Sequence, residues 1–133
     1  MSRQLFGTDG IRGKAGDPPL DRRHAYALGV ALAGWIHARK LHPSVVIGMD
    51  TRESGAWLAG AVAQGLRSQK VDADFAGVVT TPGVAFLART GDYAAGVMIS
   101  ASHNPFEDNG IKVIDHSGYK LPDDEEQIGR AHV

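Results

Sequence analysis

Apolar residues recur along this chain with two spacings. Between about 21 and 40, Ala25, Leu28, Gly29, Leu32, Trp35 and Ile36 fall at the i, i+3, i+4, i+7 positions of one helix face. Asp21 stands before them as an N-cap, and Arg39 and Lys40 stand where the negative end of the helix dipole favours cations. A second stripe of Trp57, Leu58, Ala61, Val62, Gly65 and Leu66 predicts a helix from about Ser54 to Gln69. Thr81-Pro82 reads as an N-cap and N1 proline opening a third helix that ends near Gly91. Three short apolar runs lie between and after the helices: Val45 to Met49, Phe75 to Val79 and Ala94 to Ile99. The first, with β-branched residues after Pro43, reads as a buried strand, and the other two read as the next strands. Ile111 to Ile114 and Tyr119 to Leu121 flank Asp115-His116-Ser117-Gly118, which reads as a hairpin adding an antiparallel edge.

Strands alternating with helices predict an α/β fold of three layers, α/β/α, around a mixed, mostly parallel sheet. Ligands of open α/β sheets bind beyond the carboxyl ends of the strands. Two polar loops leave such ends, Asp50-Thr51-Arg52-Glu53-Ser54 and Ser100-Ala101-Ser102-His103-Asn104-Pro105. Topology alone therefore predicts that they lie side by side on one edge.

Composition narrows the chemistry. The 133 residues fit one domain, 1–133, with 43% hydrophobic residues for a single core. A net charge of −1 argues against nucleic-acid partners and a polybasic membrane surface. No cysteine is present, which excludes disulfides and thiolate metal sites. No apolar run is long enough for a bilayer and the first ten residues hold no signal-like core, so a cytoplasmic protein is expected.

Ser102 is carried into a turn shaped by Asn104-Pro105, and Asp108-Asn109-Gly110 reads as a second turn. Lys112 stands at the expected start of the next strand. A serine hydroxyl is a poor nucleophile and its phosphate carries nearly two negative charges. A phosphate-bearing Ser102 therefore needs a proton acceptor and cations, for which His103, Lys112, Arg52 and Arg12 are candidates. On spacing alone the loop reads equally well as a polar surface turn. Phe6-Gly7-Thr8-Asp9-Gly10-Ile11-Arg12-Gly13 sets glycines around Thr8, Asp9 and Arg12 ahead of any expected strand, either as a phosphate-approaching loop or as a glycine-rich lead-in. It is neither a Walker loop nor a dinucleotide fingerprint, and no Gly-x-Ser-x-Gly elbow occurs anywhere. Asp72-Ala73-Asp74 reads as a solvated turn before a strand. Asp123 to Glu126 reads as an acidic first helical turn. The remaining histidines lack metal-ligand spacing.

Taken together, Gly7-Thr8-Asp9-Gly10-Ile11-Arg12-Gly13, Gly48-Met49-Asp50-Thr51-Arg52 and Ser100 to Pro105 through Asn109-Gly110-Ile111-Lys112 resemble the α-D-phosphohexomutases. The early Phe6-Gly7-Thr8-Asp9 and the wording around Ser102 favour the phosphoglucosamine mutase branch. The resemblance implies that Ser102 is phosphorylated, donating its phosphoryl group to one end of a hexose phosphate and recovering it from the other. It implies that His103 and Lys112 assist proton transfer and charge neutralisation. By the same resemblance, Thr8, Asp9, Arg12, Arg52 and Asn104 bind phosphate or substrate, Arg12 with a catalytic share. Mg2+ is the implied cofactor, with Ser102 contributing a ligand through its phosphate and the other ligands coming from outside this chain. The implied partners are hexosamine or hexose phosphates, a hexose bisphosphate activator and domains II–IV of the same enzyme, with self-association expected to cover exposed helix faces. Two alternatives remain at this level: a phosphomannomutase or phosphoglucomutase, and a non-catalytic module that binds phosphosugars or oligomerises.

Overall fold

A computed structural model describes residues 11–101 and 104–116. The elements run β1 (Ile11–Lys14), α1 (Arg22–Ala38), β2 (Ser44–Met49), α2 (Gly55–Ser68), β3 (Asp72–Val78), α3 (Thr81–Thr90), β4 (Ala95–Ile99) and β5 (Asp108–Asp115). They form a five-stranded sheet in the order β1-β5-β4-β2-β3. β2 is parallel to both its neighbours, whereas β5 runs antiparallel to β4 and to β1. The predicted mixed, mostly parallel sheet is present.

The strand alternation divides the core in two. Val45, Ile47, Val97, Ile99, Ile111 and Val113 turn toward α1 and α2, while Val46, Met98 and Ile114 turn toward α3. Successive side chains of a strand point to opposite faces, so one sheet supplies the floor for both helical layers. This makes the three-layer α/β/α arrangement. α1 and α2 cross where Gly29 faces Gly65: a Cβ on Gly29 would lie 2.3 Å from the Val62 carbonyl oxygen. Glycine at both positions lets the two backbones meet.

Asp21 caps α1 as expected, its carboxylate accepting from the His24 backbone N–H at 2.9 Å and meeting the His24 ring at 2.7 Å. Partial burial acts to raise the Asp21 pKa, but the hydrogen bonds and charge of His24 outweigh it and hold the carboxyl below its ordinary value. The cap of α3 is Thr80 rather than Thr81. Thr80 has the extended backbone of a cap, and its hydroxyl accepts from Gly83 N–H at 3.0 Å.

Three other expectations change. Asp72-Ala73-Asp74 opens β3 instead of forming a turn, with Ala73 buried and both aspartates exposed. Among the described residues β3 lies at the edge of the sheet, where Phe75 stays 53% exposed. Asp108-Asn109-Gly110 is strand rather than turn, which places Lys112 in the middle of β5 and not at its start. The glycine-rich lead-in also enters a strand, since Ile11–Lys14 pairs with Asp108–Ile111. Cross-strand partners override the turn preference of these residues. Among the described residues β1 is the edge beside β5; Tyr119 to Leu121 and Asp123 to Glu126 lie outside them.

Candidate active site

Because β2 and β4 are neighbours and parallel, the chain leaves both at the same edge of the sheet. The two polar loops meet there as topology predicted. Asp50 N–H donates to the Ile99 carbonyl at 3.1 Å, and Ser100 N–H donates to the Gly110 carbonyl at 2.9 Å. The ladder thus continues one residue beyond β4 before the loop turns away. Asn104 N–H donates to the Ala101 carbonyl at 3.1 Å, closing the span between these two residues. Ser102 and His103, inside that span, lie outside the described residues, as do Thr8 and Asp9.

Asn104 is where two of the candidate cations meet. Arg52 Nη2 donates to its main-chain carbonyl at 2.7 Å, and Arg12 Nη1 reaches its side-chain Oδ1 at 3.5 Å. Asn104 Nδ2 in turn donates to Asp108 at 3.3 Å. Arg52 is 9% exposed, and its Nη1 is ion-paired with Asp50. Its charge is therefore balanced inside the protein, and it serves the loop as a strut. Arg12 differs. It is half-buried, has no ion pair among the described residues, and its contact with Asn104 is long. A planar guanidinium in this state has donors left for an anion.

Lys112 pairs with Met98 across β5 and β4. Alternation puts it on the α3 side of the sheet, the side that also carries Gly110 and its partner Arg12. Lys112 and Arg12 thus leave the sheet on one face near the loop, while Ile11 and Ile111 anchor the other. Gly110 keeps the strands close, since a Cβ there would sit 2.7 Å from both the Ile11 and Ser100 carbonyl oxygens. A cleft of about 420 Å³ lies beside the loop, lined by Ala15, Glu53, Ser54, Trp57, Phe106 and Glu107. Its carboxylates oppose a phosphate, whereas Arg12 and Lys112 leave the sheet on the α3 face.

Residues 3–131 match the domain family described as phosphoglucomutase/phosphomannomutase, alpha/beta/alpha domain I. The chain belongs to this phosphohexomutase family. A phosphoglucosamine mutase from Solibacter usitatus is 63% identical over 130 residues, covering 96% of this chain and 29% of that protein. Another from Koribacter versatilis is 54% identical over 131 residues, covering 98% of this chain and 28% of its own length. The structure of a phosphomannomutase described as putative, from Thermus thermophilus, covers 100% of this chain and 30% of that one, with a TM-score of 0.86 and 30% identity. The chain thus spans under a third of the length of these phosphohexomutases.

Phosphohexomutases generally depend on a metal. Among the described residues no group of three or more His, Asp or Glu side chains is placed to hold one. The nearest carboxylates are engaged, Asp50 by Arg52 and Ser100 and Asp108 by Asn104. These residues do not make a magnesium site by themselves. No helix among the described residues is long and apolar enough to cross a membrane.

Sequence reasoning passed over Asp50, Ser100 and Asn109. Only Asp50 carried a usable signal, an aspartate two residues before an arginine at a strand end, the spacing of an Asx turn. Arg52 N–H donates to Asp50 Oδ1 at 3.0 Å in that geometry.

Proposed function

We propose that this chain is the phosphoserine-bearing domain of an enzyme that interconverts glucosamine 6-phosphate and glucosamine 1-phosphate. The observation that carries the reading is the meeting of Arg12 and Arg52 on Asn104, two residues past Ser102, at the carboxyl edge of the sheet. The names of the 63% and 54% identical relatives support the amino-sugar substrate.

In this reading a sugar hydroxyl oxygen attacks the phosphorus on Ser102. The new O–P bond forms as the Ser102 Oγ–P bond breaks. The sugar proton leaves to a base, and Oγ takes a proton from an acid, for which His103 and Lys112 are the candidates. The resulting bisphosphate reorients and returns its other phosphoryl group to Ser102 by the reverse exchange. Such transfer depends mainly on positioning and on charge facing the moving phosphoryl group. Arg12 supplies that charge beside the loop, Lys112 adds a second cation on the same face, and Arg52 acts by holding Asn104. Thr8 and Asp9 belong to the phosphate-binding set by motif. A magnesium ion would supply charge facing the moving phosphoryl group, with an oxygen of a Ser102 phosphate as one ligand and the others from outside this chain, and the contacts that read the sugar would likewise come from outside it. The chain by itself is accordingly expected to turn over poorly.

The test is intact-mass analysis after exposure of the full-length protein to a hexose bisphosphate. Wild type gains the mass of one phosphoryl group and Ser102→Ala gains none. Equal labelling of both proteins, or none of the wild type, overturns the reading.

A further inference from the structure

The Asp50 carboxylate has no part in the reading above, yet it is the node on which the loop's supports meet. Oδ1 accepts the Arg52 N–H at 3.0 Å. Oδ2 accepts from Arg52 Nη1 and from the Ser100 hydroxyl, the latter at 2.8 Å. Each support then leads to one flank of the same span. Ser100 immediately precedes Ala101, which is fully buried. Arg52 passes the constraint to the other flank, donating Nη2 to the Asn104 carbonyl at 2.7 Å.

We infer that Asp50 is a positioning residue for phosphoryl transfer: its carboxylate fixes both ends of the Ala101–Asn104 span, through Ser100 on one side and Arg52 on the other. The inference rests on the reading of Ser102 given above. The physical argument is one of charge and geometry. A carboxylate accepting from a guanidinium, a main-chain amide and a hydroxyl makes charge-assisted bonds, which are shorter and stronger than neutral ones. Its negative charge also determines where a guanidinium that is nearly out of solvent can point. Without it, Arg52 loses an ion-pair partner that helps aim Nη2 at Asn104, and Ser100 loses an acceptor for its hydroxyl. Phosphoryl transfer tolerates little misplacement, since an error of about 1 Å costs on the order of 100-fold in rate.

The same node explains why Arg52, though cationic, is not the residue that meets the substrate. Its charge is engaged by Asp50, which leaves Arg12 for the anion. Asp50 should therefore act on the rate of transfer and hardly at all on substrate affinity. That split separates positioning from binding, and a comparison with the melting temperature separates both from a general loss of fold.

The experiment uses the full-length protein and four forms: wild type, Asp50→Asn, Ser100→Ala and the double variant. Phosphoryl uptake on Ser102 from a hexose bisphosphate is followed by mass, with kcat, KM and Tm in parallel. Asp50→Asn is expected to slow transfer about 30-fold and Ser100→Ala about 10-fold, the range lost with a hydrogen bond to a charged group. KM is expected to stay within about threefold, and the double variant to be no slower than about twice Asp50→Asn, since both act through one node. If Asp50→Asn does not fold, Ser100→Ala decides alone, because it removes only one hydroxyl. A folded Ser100→Ala with wild-type rate overturns the inference, as does an Asp50→Asn whose loss lies in KM. Wild-type protein that takes up no phosphoryl group removes the reading of Ser102 and this inference with it. Normal uptake with unaffected variants removes the inference alone.

Discussion

Asn109, fully buried in β5, donates its side-chain amide to the Ser54 hydroxyl at the head of α2 at a distance of 2.7 Å. Its Oδ1 accepts from the Gly110 N–H at 2.8 Å. One side chain thus ties the antiparallel part of the sheet to the helix that follows the Arg52 loop. Asn109→Ala removes both bonds and takes the side-chain acceptor from the buried Gly110 N–H. Stability is expected to fall by about 1–3 kcal/mol, measured as a lower urea midpoint at unchanged m.

The crossing of α1 and α2 leaves no room for a methyl group. A Cβ on Gly65 would lie 2.1 Å from the Tyr26 carbonyl oxygen, and that oxygen belongs to backbone. Gly65→Ala is therefore expected to cost about 1–3 kcal/mol or more through forced separation of the helices. Gly60, in the same helix, has nothing within 4 Å of its would-be Cβ. Gly60→Ala is expected to gain about 0.5–1 kcal/mol from helix propensity alone. Thermal melts of the two variants should move in opposite directions.

Lys112 sits between the core residues Ile111 and Val113 but turns to the opposite face. Lys112→Ala removes a cation from the α3 face without opening the core under α1 and α2. Phosphoryl transfer is expected to slow by at least about 10-fold, the usual minimum for a lost charge contact in such a site. The melting temperature should change by no more than a few degrees. A large drop in Tm with normal kinetics would count against the role.

Asp21 offers a pH signature. Its folded pKa lies below the ordinary value of 3.8, so its contribution is present at neutral pH and is lost as pH falls through the folded pKa. Asp21→Ala should cost about 1 kcal/mol at pH 7, the usual value of a helix cap. Denaturant melts from neutral pH down into strong acid should show the gap between the two proteins narrowing as the carboxylate is protonated. A gap that widens in acid would contradict the sign.

Much of the fold is legible because α1, α2, β2 and β4 each bury a regular stripe of apolar residues. The periodicity of Leu28, Leu32 and Ile36 is read without knowing what covers them. Thr80 and Thr81 are equally eligible caps by composition, and only backbone geometry separates them. β1 and the first residues of β5 are illegible for another reason. Arg12, Gly13, Asn109 and Gly110 carry no strand signal in isolation and become strand only by pairing with each other across nearly a hundred residues of chain. The candidate site divides in the same way. Arg12, Arg52, Asn104 and Lys112 stand in motifs, and the two arginines meet at Asn104. Asp50 and Ser100 stand in the same motifs without a role that sequence can assign. Their bond joins residues fifty positions apart, and no local pattern encodes it.

The alternation of β5 has a bearing on how such a domain tolerates insertions and deletions. Ile111 and Val113 hold up one helical layer while Lys112, between them, faces the α3 side. Dropping a single residue upstream in this strand would swap the two sets, burying an ammonium among the aliphatic groups under α1 and α2 and turning Ile111 and Val113 toward the α3 layer. A frame error that misplaces the cation also prevents folding, so the hydrophobic layer acts as a proofreader for the placement of charge.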